Sequence, residues 1–181
     1  MESKHLITVE EFKELARPTS KHVDEKEVMA FVREVEDMTI IPAIGLDDFE
    51  ELMNKTDEEL SEEQKTLLNG GSWVQGVIGR CEGQSGLRMK CSGLKSAVAY
   101  YVYGKMILSD GGIVTRTGIM RHDDEHSSHV DDKNRVRRYN DVMNVAEEYL
   151  NGCLMFWRSV KGDDSVRKVR GSRVHIHAIG D

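Results

Sequence analysis

Leu94-Lys95-Ser96-Ala97-Val98-Ala99-Tyr100-Tyr101-Val102-Tyr103-Gly104-Lys105-Met106-Ile107-Leu108 is the most apolar stretch of this 181-residue chain. It leaves no clear polar face, the pattern of a helix buried on most sides rather than laid on a surface. Asp110-Gly111-Gly112 ends it. A longer helix is predicted from about Asp131 to Val160, where Val142, Ala146, Tyr149, Cys153 and Phe156 recur every three or four residues. Met143, Leu150, Leu154 and Trp157 widen that stripe, and Gly162-Asp163-Asp164 closes it. With 31% charged and only 6% aromatic residues, the core is expected to be aliphatic and helical, not an aromatic-rich β sandwich.

Upstream, shorter helices are marked by their ends. Thr8 and Glu11 have capping-box spacing; Val9, Phe12 and Leu15 follow at helical intervals, and Pro18 stops the turn. Asp24 is the next cap, for a stripe of Val28, Phe31, Val32, Val35 and Met38 with Arg33, Glu34, Glu36 and Asp37 on other faces. Pro42 places the end of that helix near Ile40. Asp47 is expected to cap a third helix carrying Phe49, Leu52 and Met53, and a fourth runs from about Ser61 to Leu68, stopped by Asn69-Gly70-Gly71. The two prolines, Pro18 and Pro42, both precede residue 45, so long helices beyond it meet no steric bar.

Between residues 72 and 93 the chain changes character. Glycines at 76, 79, 83, 86 and 93, with 71 adjoining, are interleaved with Val74, Val77 and Ile78, which reads as a β-hairpin or extended loop. Residues 113–120 are also β-rich. The tail alternates: Val166, Val169, Val174, Ile176 and Ile179 stand among Arg167, Lys168, Arg170, Arg173, His175 and His177. The predicted class is mainly α: a small helical bundle with a β-hairpin or extended-loop insertion and an extended C-terminal arm. The helical domain covers 1–160 with the insertion at 72–93, and the arm covers 161–181. An alternating arm with unpaired backbone groups adds readily to a neighbour's sheet edge, whereas the bland alternative is a disordered terminus.

Charge is unevenly spread. Residues 1–70 hold 8 basic and 19 acidic side chains, residues 71–160 hold 12 and 10, and residues 161–181 hold 5 and 3, within a net charge of −7. Such asymmetry suits head-to-tail packing of identical subunits; a solvated acidic face with nothing opposite it is the plainer reading. No apolar run approaches the roughly 18–20 residues that cross a bilayer. Met1-Glu2-Ser3-Lys4-His5 is polar with no apolar signal core behind it, so a cytosolic protein with no membrane partner is expected. Cys81, Cys91 and Cys153 lack CxxC spacing, so neither a disulfide framework nor a zinc site is indicated. Cys81 and Cys91 would face each other across a hairpin, but a reducing compartment argues against a structural bond.

Chemistry has one constellation to work with. His122, His126 and His129 with Asp131, inside a run of further carboxylates, would on paper bind a divalent metal for hydrolysis. The HExxH pattern is absent, and the run is better read as a polar turn leading into an acidic helix start. His175 and His177 would share one side of a strand, more often an exposed face than a metal pair. Nucleophile elbows, phosphate loops and dinucleotide fingerprints are missing, so no cofactor and no catalytic set is predicted. Arg167, Lys168, Arg170 and Arg173 form a small basic stripe, and Arg135, Arg137 and Arg138 another. Neither is interleaved with aromatics, which weakens a DNA-packaging or regulatory binding role.

Gly93-Leu94-Lys95-Ser96-Ala97-Val98-Ala99-Tyr100-Tyr101-Val102-Tyr103-Gly104-Lys105 with Val114-Thr115-Arg116-Thr117-Gly118 resembles a block of the head–tail connector (adaptor or neck-ring) family of phages infecting Bacteroidetes, including crAss-like phages. Ser127-Ser128-His129-Val130-Asp131, Tyr139-Asn140-Asp141-Val142 and Ala146-Glu147-Glu148-Tyr149-Leu150 extend the likeness over roughly 90–158. Thr117 stands where the family pattern has an aromatic, and the tail after Gly162 has no counterpart. The resemblance implies a non-catalytic virion protein, assembled in the host cytoplasm into a ring of itself, commonly a dodecamer. Such a ring docks on the portal protein, meets tail or further neck-ring proteins, and lets genomic DNA pass through its lumen without sequence-specific binding. The contact residues expected on that reading are Val74, Val77 and Ile78 in the first arm and Arg116 in the Val-Thr-Arg turn. In the tail they are Val166, Val169, Arg170, Val174 and Ile176.

Overall fold

The computed structural model describes residues 4–18, 24–75, 87–109, 112–115, 118–121 and 132–162. Helix α1 (Val9–Leu15) starts at Thr8, whose hydroxyl accepts from the Glu11 N–H while the Glu11 carboxylate accepts from the Thr8 N–H. Asp24 caps α2 (Glu25–Val35) through the Lys26 N–H. Both ends are where the sequence puts them.

The end of α2 is not. The chain passes through a π-helical turn (Glu36–Ile40) and continues into α3 (Ile41–Ile44), crossing Pro42 instead of stopping at Ile40. Pro42 lies in the first turn of α3, where the missing N–H and fixed φ cost little. The wider π turn shifts the helix's phase. Glu36, expected on a polar face, is 4% exposed, and Met38, expected in the apolar stripe, is 74% exposed. Burial resumes at Ile40 and Ile44, five and nine residues after Val35.

Helix α4 (Leu46–Asn54) begins one residue before the expected Asp47 cap, because Gly45, at φ 95°, makes the sharp turn out of α3. Asp47 and Asp48 instead occupy the first turn of α4, where carboxylates suit the positive end of the helix dipole. Helix α5 (Glu62–Asn69) starts at Ser61 with a full capping box to Gln64 and ends at Gly70. Ser61→Ala removes one side of that box and is expected to lower stability by about 1 kcal/mol in urea titration.

Strands β1 (Gly71–Gln75) and β2 (Leu87–Cys91) pair antiparallel, with Trp73 opposite Met89 and Val74 opposite Arg88. The insertion at 72–93 is therefore a hairpin at its base; residues 76–86, with Val77 and Ile78, lie outside the described residues. Helix α6 (Leu94–Ser109) is followed by a second hairpin, β3 (Gly112–Thr115) with β4 (Gly118–Arg121), and by α7 (Asp132–Lys161). The mainly helical class, with a hairpin insertion, stands.

Helices α6 and α7 form the scaffold. Gly104 lets them approach closely: a Cβ there would stand 2.9 Å from the Met143 sulfur. Leu94, Ala97, Val98, Tyr101 and Val102 of α6 are buried, as are Val142, Ala146, Leu150, Cys153 and Leu154 of α7. Val28 and Val32 of α2 and Phe12 of α1 join the same core. The body is thus aliphatic, as composition predicts.

Candidate interaction surfaces

The first surface is the β1–β2 hairpin. Strand alternation sends Trp73 inward, where its ring meets Phe156 of α7 at 5.8 Å between centroids. It sends Val74 outward, 61% exposed, beside Arg88, whose guanidinium donates to the Ser72 hydroxyl at 3.0 Å. The outer face therefore combines an exposed valine with the exposed cations Arg88 and Lys90. Gly152 brings α7 close under the hairpin, with room for a Cβ at 3.6 Å from the Lys90 carbonyl oxygen.

Charged surfaces lie at both ends of α7. Near its C-terminus, Lys161 pairs with Asp48 of α4 (Nζ–Oδ2 2.6 Å), and the Trp157 indole N–H donates to the same carboxylate at 2.8 Å. That contact fixes α4, and the acidic segment it begins, to this end. Asp47, Glu50, Glu51, Asp57, Glu58, Glu59, Glu62 and Glu63 are exposed there. At the other end of α7, Lys133, Arg137 and Arg138 are exposed in its first two turns. At about 1.5 Å per residue the helix holds Arg137 and Lys161 roughly 36 Å apart.

A cleft of about 760 Å³ runs along the N-terminal segment, between Lys4, His5, Glu11, Met29, Arg33, Leu52, Lys55 and Lys95. Its polar groups are tied to one another. Lys95 pairs with Glu11 at 2.7 Å, Lys4 donates to the Lys55 carbonyl oxygen at 2.8 Å, and Arg33 Nε donates to His5 Nε2 at 3.3 Å. Burial opposes ionisation of Glu11, but the hydrogen bonds from Lys95 and from the Thr8 N–H outweigh it and hold the carboxyl below its usual range. His5 Nδ1 lies 2.8 Å from a Glu36 oxygen, and the Leu6 N–H donates to the other at 2.6 Å. The π turn, which sequence periodicity missed, carries this carboxylate inward.

Of the expected contact residues, Val74 is described and exposed. Val77, Ile78, Arg116, Val166, Val169, Arg170, Val174 and Ile176 lie outside the described residues, as do His122, His126, His129 and Asp131, the tail histidines, and the tail basic stripe. Among the described residues, no group of three or more His, Cys, Asp or Glu is placed to hold a metal ion. Among them, too, no helix is long and apolar enough to cross a membrane.

A family model described as "Family of unknown function (DUF6712)" matches residues 40–163, more than half of the chain. The match takes in α3 to α7 and both hairpins, so the scaffold and the charged ends of α7 belong to the shared part; α1 and α2 precede it. No curated protein matches the chain, and no solved structure does.

Proposed function

We propose that this chain, which belongs to the family of unknown function DUF6712, is a non-catalytic ring subunit of a phage head–tail connector. It docks on the portal, continues the DNA channel and joins the tail or a further neck ring in the virion. The observation that carries the reading is the uneven charge along α7. Exposed acids gather around α4 and α5 near its C-terminal end, while Lys133, Arg137 and Arg138 are exposed in its first turns. Those cations stand among acids as well: Asp132 adjoins them in sequence, and Glu27 and Glu34 of α2 come near by way of α6. A patch and its complement on different parts of one molecule make a heterologous contact, which closes into a ring when the rotation between subunits permits. The likeness of residues 90–158 to connector proteins supports a connector ring over other rings, and the exposed Val74 of the β1–β2 hairpin offers a further contact.

Charge reversal tests the contact. With the portal present, Lys133→Glu/Arg137→Glu/Arg138→Glu should lose assembly, and Glu58→Lys/Glu59→Lys/Glu62→Lys should lose it too, each by at least about tenfold in affinity. An equimolar mixture of the two variants should recover it, because each variant's reversed surface then meets its complement on the other. Mass photometry reads the outcome. Full assembly by either variant alone would remove the charge contact from the account.

A metal-dependent hydrolase acting through His122, His126, His129 and Asp131 is the rival from a different class. Metal retained by the purified chain, and lost with His126→Ala, would favour it.

A further inference from the structure

The sequence spacing of the cysteines points to no bond, yet the fold brings two of them together from 62 residues apart. Cys91 ends β2, Cys153 sits in the middle of α7, and their sulfurs lie 3.6 Å from each other, hydrogen-bonded as free thiols. Both residues are fully buried. The Thr66 carbonyl oxygen of α5, also 3.6 Å from Cys91 Sγ, is the alternative acceptor for that thiol's single proton. Neither thiol belongs to the surfaces described above.

We propose that Cys91 and Cys153 are a redox pair, forming under oxidising conditions a disulfide that fastens the β1–β2 hairpin to α7. This stands on the packing of the chain alone, whether or not it builds a ring.

Three features support it. The sulfurs are already in contact, so closing to a bond of about 2.05 Å calls for side-chain rotation rather than a new chain path. The strand that ends in Cys91 lies against the helix that carries Cys153, with the Lys90 carbonyl oxygen 3.6 Å from where a Cβ on Gly152 would stand. The two thiols are also chemically unequal. A hydrogen bond from Cys153 lowers the Cys91 pKa against the opposing effect of burial, while the same bond and burial raise that of Cys153. Cys91, carried on the hairpin's own strand, is the thiol exposed when the hairpin lifts, and it attacks as the thiolate.

With a small-molecule disulfide such as oxidised glutathione as oxidant, the Cys91 thiolate attacks one glutathione sulfur and expels the other as glutathione thiolate. Cys153, losing its proton to solvent, then attacks the Cys91 sulfur of the mixed disulfide and expels the second glutathione thiolate. Two protein thiols are oxidised and one glutathione disulfide is reduced to two thiols. Because both cysteines are buried, the first step needs the hairpin to lift from α7. A two-stranded hairpin held on one face is the kind of unit that opens locally. Reaction should therefore be slow in the native chain and faster in sub-denaturing urea.

The test uses the full-length chain, equilibrated with oxidised glutathione in sub-denaturing urea, returned to buffer, digested without reduction and mapped by mass spectrometry. The expected result is a Cys91–Cys153 cross-linked peptide lighter by two hydrogens, with Cys81 free. The oxidised chain should also melt roughly 5–15 °C higher than the reduced one, a rise absent in Cys153→Ala. Two free thiols persisting at a potential that fully oxidises dithiothreitol would overturn the proposal. So would pairing of Cys81 with either residue, or a Cys91–Cys153 bond that lowers the melting temperature. The peptide map needs no variant, so it decides even if Cys153→Ala folds poorly.

Discussion

Gly93→Ala should lower stability by roughly 3–4 kcal/mol, a fall of about 10 °C in melting temperature. Gly93 has φ +90°, where a side chain is strained, and an added Cβ would stand 2.6 Å from the Gly70 nitrogen and 2.7 Å from the Leu68 carbonyl oxygen. The obstruction is backbone, which cannot swing aside as a flexible side chain does. Gly70, at φ +91°, is the reciprocal case, since its Cβ would meet the Ser92 carbonyl oxygen at 2.8 Å. Together the two glycines clamp the end of α5 to the start of α6. Gly70 N–H donates to the Thr66 carbonyl, and the Gly93 carbonyl accepts the first α6 bond from Ala97. The β1–β2 hairpin springs from this clamp, so a strained clamp should also loosen the hairpin. Calorimetry with hydrogen exchange over residues 71–91 checks both effects; an unchanged melting temperature would mean that the chain routes around the contact.

Glu36→Ala should cost roughly 2–4 kcal/mol and free the N-terminal segment. The carboxylate is buried, and it holds the Leu6 N–H and the His5 ring. Removing it leaves a buried backbone donor without its acceptor, and a cavity as well. Leu6 and Ile7, both buried, depend on that donor for their placement in the core. Limited proteolysis should therefore cut between residues 4 and 18 far faster in the variant, while cleavage elsewhere changes little. Glu36→Gln, able to accept one of the two bonds, should fall between. Equal proteolysis in variant and parent would show that the segment is held by apolar burial alone.

Local signals were legible in the sequence, and contacts made at a distance were not. Thr8 with Glu11 settles the start of α1, because both partners of the cap lie within four residues. The apolar run at 94–108 and the three-to-four-residue repeat through α7 disclose the scaffold for the same reason: burial imposes its period on the sequence. The π turn leaves no such mark. It adds a residue to a helix that otherwise looks continuous, and the cause lies about 30 residues upstream in His5 and Leu6. Gly45 displaced Asp47 as the start of α4 because a turn at positive φ decided the boundary before a favourable cap did. In the hairpin, Val74 turns outward while its neighbour Trp73 packs on Phe156, a contact 83 residues away that leaves no mark in the local sequence. The Cys91–Cys153 contact joins a strand end to a helix middle, a juxtaposition that only the packed fold creates.

We propose that identical chains join in a ring upon a portal. The most direct measurement is co-expression with the portal protein encoded in the same genome, followed by purification through the portal and negative-stain microscopy. The account predicts a second ring of this chain stacked coaxially on the portal and open along the axis. A portal that purifies bare, with this chain remaining apart at every concentration and salt condition, would contradict it.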